Sequence, residues 1–218
     1  MKRLFTLAAS FFFLFTNSDH ATSSIYDLQL NGKYQSVQAK NADIIGWITI
    51  PHTTISYPLM QTTDNDYYLH HNAYRKKAAQ GAIFMDFRNQ PDFSDQQTII
   101  YGHTLKNSEQ MFSALHPFST QSFYESSPYI IISLPDEIRY YKIFASYTTD
   151  ISFYYLDIQF TAQEFASYQG EISRRSILKS LVTYQQEANI LTLSTCSLRD
   201  DRSRFVIHAV LIDARQVP

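Results

Sequence analysis

The chain contains one cysteine, Cys196. It closes the run Ile190-Leu191-Thr192-Leu193-Ser194-Thr195-Cys196, whose alternation puts Thr192, Ser194 and Cys196 on one face of a strand and Leu191, Leu193 and Thr195 on the other. A thiol on a small, polar face at a strand's end is poorly placed to be an inert buried hydrophobe. It is better placed to be a nucleophile, which needs a nearby cation to favour the thiolate and a base to carry the proton. The connection 197–203 is short and polar and should return the chain antiparallel. Arg204 then opens the next β-rich run, at the ~4.8 Å spacing of paired strands from Cys196. A guanidinium there has two uses: lowering the thiol pKa, and donating to the oxyanion formed when a thiolate attacks a carbonyl. Arg199 and Arg202 read as solvent-facing hairpin charges.

Seven histidines compete for the proton-carrying role. His208 shares a face with Arg204, but four residues along a strand is about 13 Å, so it reads as a core or wall residue. His52, His70, His71 and His116 lie in polar, turn-like sequence and read as surface residues; His20 lies in the N-terminal lead-in. His103 ends the run Thr98-Ile99-Ile100-Tyr101-Gly102-His103, where a glycine turn would present an imidazole at a sheet edge. Spacing alone leaves the histidine open, and a Cys/His/Arg acyl-transfer site is one chemistry these residues can perform. Metal-ligand spacings, a P-loop and a dinucleotide glycine pattern are all missing, so neither metal nor cofactor is expected.

The elements that must position these residues are mostly strands. Runs at 44–50, 54–57, 81–86, 98–101, 129–133, 139–147, 190–196 and 204–212 are β-rich and punctuated by Pro, Gly and Asn. Over 161–188, Thr161 and Glu164 form a capping-box pattern, and Phe165, Tyr168, Ile172, Ile177 and Leu181 recur at roughly helical spacing. The expected fold is mainly β: a closed or nearly closed barrel with peripheral helices. Lys2 and Arg3 before an apolar run from Leu4 to Phe15 have the form of an export signal. That run is short of the ~20 residues that span a bilayer, and no small-x-small cleavage site follows it, which favours an uncleaved anchor over 1–20. A polar lead-in with a short helix over 21–40 and a catalytic domain over 41–218 would follow. A formal net charge of −2 gives no pointer to nucleic acid. A lone cysteine in an exported chain has no internal disulfide partner.

Thr192-Leu193-Ser194-Thr195-Cys196, Arg204-Phe205-Val206-Ile207-His208-Ala209 and Tyr101-Gly102-His103 together resemble the sortase family, class B. So do the segments 41–48, 64–69, 81–89 and Met111-Phe112, and the resemblance spans about residues 35–213. It implies an eight-stranded β-barrel with an N-terminal helix and a long helical insert before the catalytic strand, anchored at the extracytoplasmic face of a Gram-positive cell membrane. It implies Cys196 as nucleophile, His103 as acid and base, and Arg204 as holder of substrate and oxyanion. Ser194 and Tyr101 would line the groove, with Tyr155 and Leu156 contacting the sorting motif. The partners implied are surface proteins or pilins bearing an LPXTG-like C-terminal sorting signal, and an amine from a peptidoglycan precursor or a pilin lysine.

The Cys-to-Arg spacing of eight residues is shorter than in many class B enzymes. This leans the reading toward pilin assembly over wall anchoring. Two other readings compete: a secreted papain-like or cell-wall amidase hydrolase, which would place its cysteine at a helix N-terminus, and an inactive barrel that binds sorting peptides.

Overall fold

The computed structural model describes residue 32 and residues 36–150, 152–182, 188–196 and 202–217, with residue 196 described by its backbone. The segment expected to be a membrane anchor, 1–20, lies outside the described residues. Of the lead-in, residues 36–38 are helical. Among the described residues no helix is long and apolar enough to cross a membrane.

Eight strands close into a barrel. They are β1 (Ile44–Thr49), β2 (Ser56–Met60), β3 (Ile83–Met85), β4 (Gln97–Tyr101), β5 (Tyr129–Ser133), β6 (Glu137–Thr149), β7 (Ile190–Cys196) and β8 (Arg204–Gln216). Around the barrel they run β1-β2-β3-β4-β7-β8-β6-β5. The β2/β3 and β4/β7 pairs are parallel and the others antiparallel. Closure gives each strand a neighbour on both sides, and alternation sends every second side chain inward. One core cluster takes a residue from each strand: Ile48, Leu59, Ile83, Ile100, Ile132, Ile143, Leu193 and Ile207.

Among the described residues, three further α-helices decorate the barrel: α1 (Tyr67–His70), α2 (Gln121–Ser126) and α3 (Ala162–Arg175). A 3-10 helix, Met111–Ser119, precedes α2 and buries Phe112, Leu115 and Phe118 in the same core. α3 begins with the expected capping box: Glu164 N–H donates to the Thr161 hydroxyl (3.3 Å), and Thr161 N–H donates to the Glu164 carboxylate (2.8 Å). Its face of Phe165, Tyr168 and Ile172 packs on a second cluster with Ala145, Tyr147, Val206 and Val210, outside β6 and β8. Each such fully buried side chain stabilises the contact by about 1.5–3 kcal/mol.

Three expectations need correction. The helical reading of 161–188 ends at Arg175, because Ser176 turns extended and Ile177 N–H instead donates to the Ser146 carbonyl of β6 at 2.9 Å. Ile177 and Leu181, expected on the apolar stripe, are exposed. Pro58, expected to stop a strand, sits inside β2 opposite Trp47; β3 joins only from Leu59, so at Pro58 that edge has no partner strand needing its missing N–H.

Candidate active site

Two strand registers build the site. In the antiparallel β7/β8 pair, Cys196 stands directly opposite Arg204, the last rung of a ladder running from Ile190↔Val210. Directly opposed residues of an antiparallel pair are ≈ 4.5–5.5 Å apart. In the parallel β4/β7 pair, Tyr101 is level with Ser194, and Gly102 N–H donates to the Ser194 carbonyl at 3.3 Å. His103 and Cys196 each follow that rung by two residues, so the parallel register brings them to the same end of the barrel. The connection 197–201 lies outside the described residues.

His103 is fixed from the far side. Its Nε2–H donates to the Leu69 carbonyl at 2.9 Å, since a carbonyl only accepts. Nε2 therefore holds its proton, which leaves Nδ1 as the acceptor nitrogen of the neutral ring. Gly81 makes this contact possible: its φ is +59°, and a Cβ there would meet the Leu69 carbonyl oxygen at 2.8 Å and His103 Cδ2 at 3.1 Å.

His103, Arg204, Tyr101, Ser194, Tyr155 and Leu156 line one open cleft of about 310 Å³, together with Asn65, Leu69 and Thr195. The structure thus brings together every expected site residue whose side chain it describes. Tyr155 lies against β7, its hydroxyl bonded to Ser194 Oγ at 2.8 Å. Its carbonyl accepts from Gln97 Nε2 (2.8 Å) and from the Tyr168 hydroxyl (3.1 Å), so α3 holds the groove wall from behind. The Tyr101 hydroxyl donates to Asp86 at 2.8 Å. Burial, and then the charge of Asp86, push the Tyr101 phenol far above its ordinary pKa, which keeps it a donor.

Sequence reasoning assigned no role to Asn65 or Leu69, although both lie in a motif-bearing segment, because only the folded β2–α1 connection (Asn65) and α1 (Leu69) carry them to the end of β4. It also read His116 as a surface residue. His116 is half-buried on the 3-10 helix, 5.0 Å from the Phe205 ring, and its Nε2 bonds the Thr104 hydroxyl at 3.0 Å. Thr104 in turn bonds Thr195 at 2.8 Å, and burial lowers the His116 pKa.

His208 is the wall residue expected. It is fully buried, with Nε2 bonded to the Tyr147 hydroxyl (2.8 Å) and Nδ1 to the Thr192 hydroxyl (2.9 Å). Burial depresses its pKa to about 3, so it stays neutral and does no proton transfer at physiological pH. Unfolded, the same imidazole titrates near 6.5. Between pH 6.5 and about 3 the unfolded chain therefore binds a proton that the folded chain does not, and stability falls as pH drops through that window. His208→Gln, which retains polar atoms without titrating, is expected to flatten the acid limb of the stability curve by up to about 1.4 kcal/mol per pH unit. Urea unfolding between pH 4 and 7 reads this; an unchanged slope would assign the acid sensitivity to other groups.

A family model described as Sortase domain matches residues 48–212. The chain is 37% identical over 199 residues to Sortase B of Listeria monocytogenes, which covers 89% of this chain and 79% of that protein. Its fold matches that of the Staphylococcus aureus sortase B-substrate complex with a TM-score of 0.79 at 29% identity, over 88% of this chain and 94% of that one. A sortase B complexed with triglycine also matches with a TM-score of 0.79 at 29% identity, over 90% of this chain and 96% of that one.

Proposed function

The chain belongs to class B of the sortase family of cysteine transpeptidases, and from that premise we propose that Cys196, His103 and Arg204 cut a C-terminal sorting signal and pass the acyl group to an amine. The observation that carries the roles is the meeting of His103 and Arg204 in one cleft at the end of the strand that Cys196 closes.

The Cys196 thiolate attacks the carbonyl of a Thr–Gly-type bond in an LPXTG-like motif. Arg204 donates to the oxyanion as it forms, a task suited to a fixed guanidinium in a partly desolvated cleft. His103 delivers its Nδ1 proton to the departing amine, leaving a thioester on Cys196. An incoming amine then loses its proton to His103 as it attacks the thioester and expels the Cys196 thiolate, so the product is an amide and the thiolate–imidazolium pair is restored. The cysteine ends a strand, whereas a papain-like hydrolase would start a helix with it, and this favours the sortase chemistry over that alternative.

The acceptor has two candidates. The eight-residue spacing from Cys196 to Arg204 in sequence leans toward a pilin lysine. The relative complexed with triglycine supports a second reading, a cross-bridge amine of the cell wall. In both, the pattern of Lys2, Arg3 and the apolar run to Phe15 supports a catalytic domain held at the outer face of the membrane.

Intact-mass spectrometry of residues 30–218 with a panel of sorting-signal peptides, and then with glycine peptides and a pilin as acceptors, tests the reading. A mass increase equal to the acyl fragment is expected with one peptide class, and the amine that discharges it names the acceptor. No adduct or cleaved product with any peptide or whole pilin substrate would sink the proposal in favour of an inactive peptide-binding barrel.

A further inference from the structure

Asp86, just past β3, has no exposed surface, yet five hydrogen bonds converge on its carboxylate. Arg88 supplies three, from Nε to Oδ1 (2.9 Å), from a terminal nitrogen to Oδ2 (2.9 Å) and from its backbone N–H to Oδ1 (3.0 Å). The Tyr101 hydroxyl adds one at 2.8 Å and the Asn65 amide another at 3.1 Å. Burial works to raise the Asp86 pKa, but the Arg88 and Tyr101 bonds outweigh it and hold the carboxyl below its ordinary range, so it is ionised.

Such a pair is weak as a stabilising device, since desolvation offsets much of the Coulomb gain. Its geometry points elsewhere. Arg88 also donates to the Leu156 carbonyl at 2.9 Å. Asn65 is gripped at its other end, where its oxygen accepts from Phe87 N–H at 2.9 Å. Asn65, Tyr101 and Leu156 come from three separate parts of the chain (the β2–α1 connection, β4 and the β6–α3 connection), and all three line the cleft. One ion pair, its carboxylate buried and its guanidinium one-third exposed (33%), therefore ties three walls together, and it is not itself among the residues lining the cleft.

We propose that Asp86 and Arg88 are positioning residues that set the spacing of the peptide-groove walls and so determine how tightly, and which, sorting peptides bind. This rests on the transpeptidase reading above and concerns peptide binding, not the reacting atoms. Arg88 holds two acceptors with one planar fork, a fixed bidentate geometry that an ammonium's point charge does not reproduce. Arg88→Lys should keep charge opposite Asp86 but release the Leu156 carbonyl. Asp86→Asn should release Tyr101 as well.

The test is acylation kinetics against peptide concentration, with three controls: the rate of Cys196 alkylation by iodoacetamide, the rate at which an amine discharges preformed acyl-enzyme, and Tm. For Asp86→Asn the KM for the sorting peptide is expected to rise about 10- to 100-fold, the scale of an ångström-level misplacement, with alkylation and discharge unchanged. Arg88→Lys is expected to show a smaller KM rise at near-native Tm, which separates loss of positioning from loss of folding should Asp86→Asn be unstable. A wild-type KM in folded Arg88→Lys and Asp86→Asn would overturn this inference alone. So would a fall in alkylation parallel to the KM change, because the pair would then act on the reactive centre. If the unsubstituted enzyme forms no adduct with any sorting substrate, the transpeptidase substrate reading fails and takes this one with it.

Discussion

Cys196→Ala is expected to abolish acyl-enzyme formation, with no peptide adduct by intact mass and turnover reduced by at least about 10⁴-fold, as befits loss of a covalent nucleophile. The fold should survive. β7 is held by backbone ladders to β4 and β8 and by the packing of Leu191 and Leu193, none of which needs the thiol. Near-native Tm beside a silent mass spectrum is therefore the expected pair of readings. The chain has no second cysteine. An adduct that persisted in Cys196→Ala would have to be an oxygen ester or an amide, and hydroxylamine sensitivity would tell which. Such an adduct would remove Cys196 from the mechanism.

Arg204→Ala should lower kcat/KM by about 10²–10³-fold, the scale seen when one oxyanion donor is lost, equivalent to about 3–4 kcal/mol of transition-state stabilisation. Arg204 is half-exposed at the first position of β8, where Thr149 of β6 and Cys196 of β7 flank it. Its removal should trim the barrel's end without opening the core. Arg204→Lys should recover only part of the loss, since a point charge replaces a two-pronged donor. A second measurement separates oxyanion binding from thiolate stabilisation. Removing a cation beside a thiol disfavours the thiolate, so the pH profile of Cys196 alkylation should move to higher pH in Arg204→Ala. An unshifted alkylation profile with the full loss in kcat/KM would confine Arg204 to the oxyanion. Unchanged kcat/KM would remove it from the site.

The Arg204 expectation rests on the strand pairing of residues eight apart in sequence, and that nearness is why the Cys196–Arg204 pair was readable without a structure. The period-two pattern of β7, a short polar connection and the resumption of β-rich sequence at Arg204 leave little freedom but a hairpin, and the register follows from the two ends. The same locality made β1, β5 and the capping box of α3 legible, because side chains within a few residues of each other decide them. The resemblance to class B sequences, carried by several short motifs, was equally local.

The histidine was a different matter. Strand-end position and the Tyr101-Gly102-His103 resemblance singled out His103, but spacing left it open, and its place beside Cys196 follows from β4 lying parallel to β7 in the closed barrel, with Tyr101 level with Ser194. A parallel neighbour leaves no turn in the sequence to announce it. His116 illustrates the converse: polar local sequence suggested the surface, whereas packing of the 3-10 helix against Phe205 half-buried it. α3 ended at Arg175 because Ile177 found a partner in Ser146, a competition between helix and sheet that helical periodicity cannot report. Asp86 and Arg88 lie two residues apart in sequence, but their ties to Asn65, Tyr101 and Leu156 exist only in three dimensions. By itself, then, the amino-acid sequence determined the strand periods, the helix start, the hairpin carrying Cys196 and Arg204, and the family. Which distant strands became neighbours, which histidine reached the cleft and what holds its walls were decided by barrel closure, because those contacts depend on packing the whole apolar interior at once.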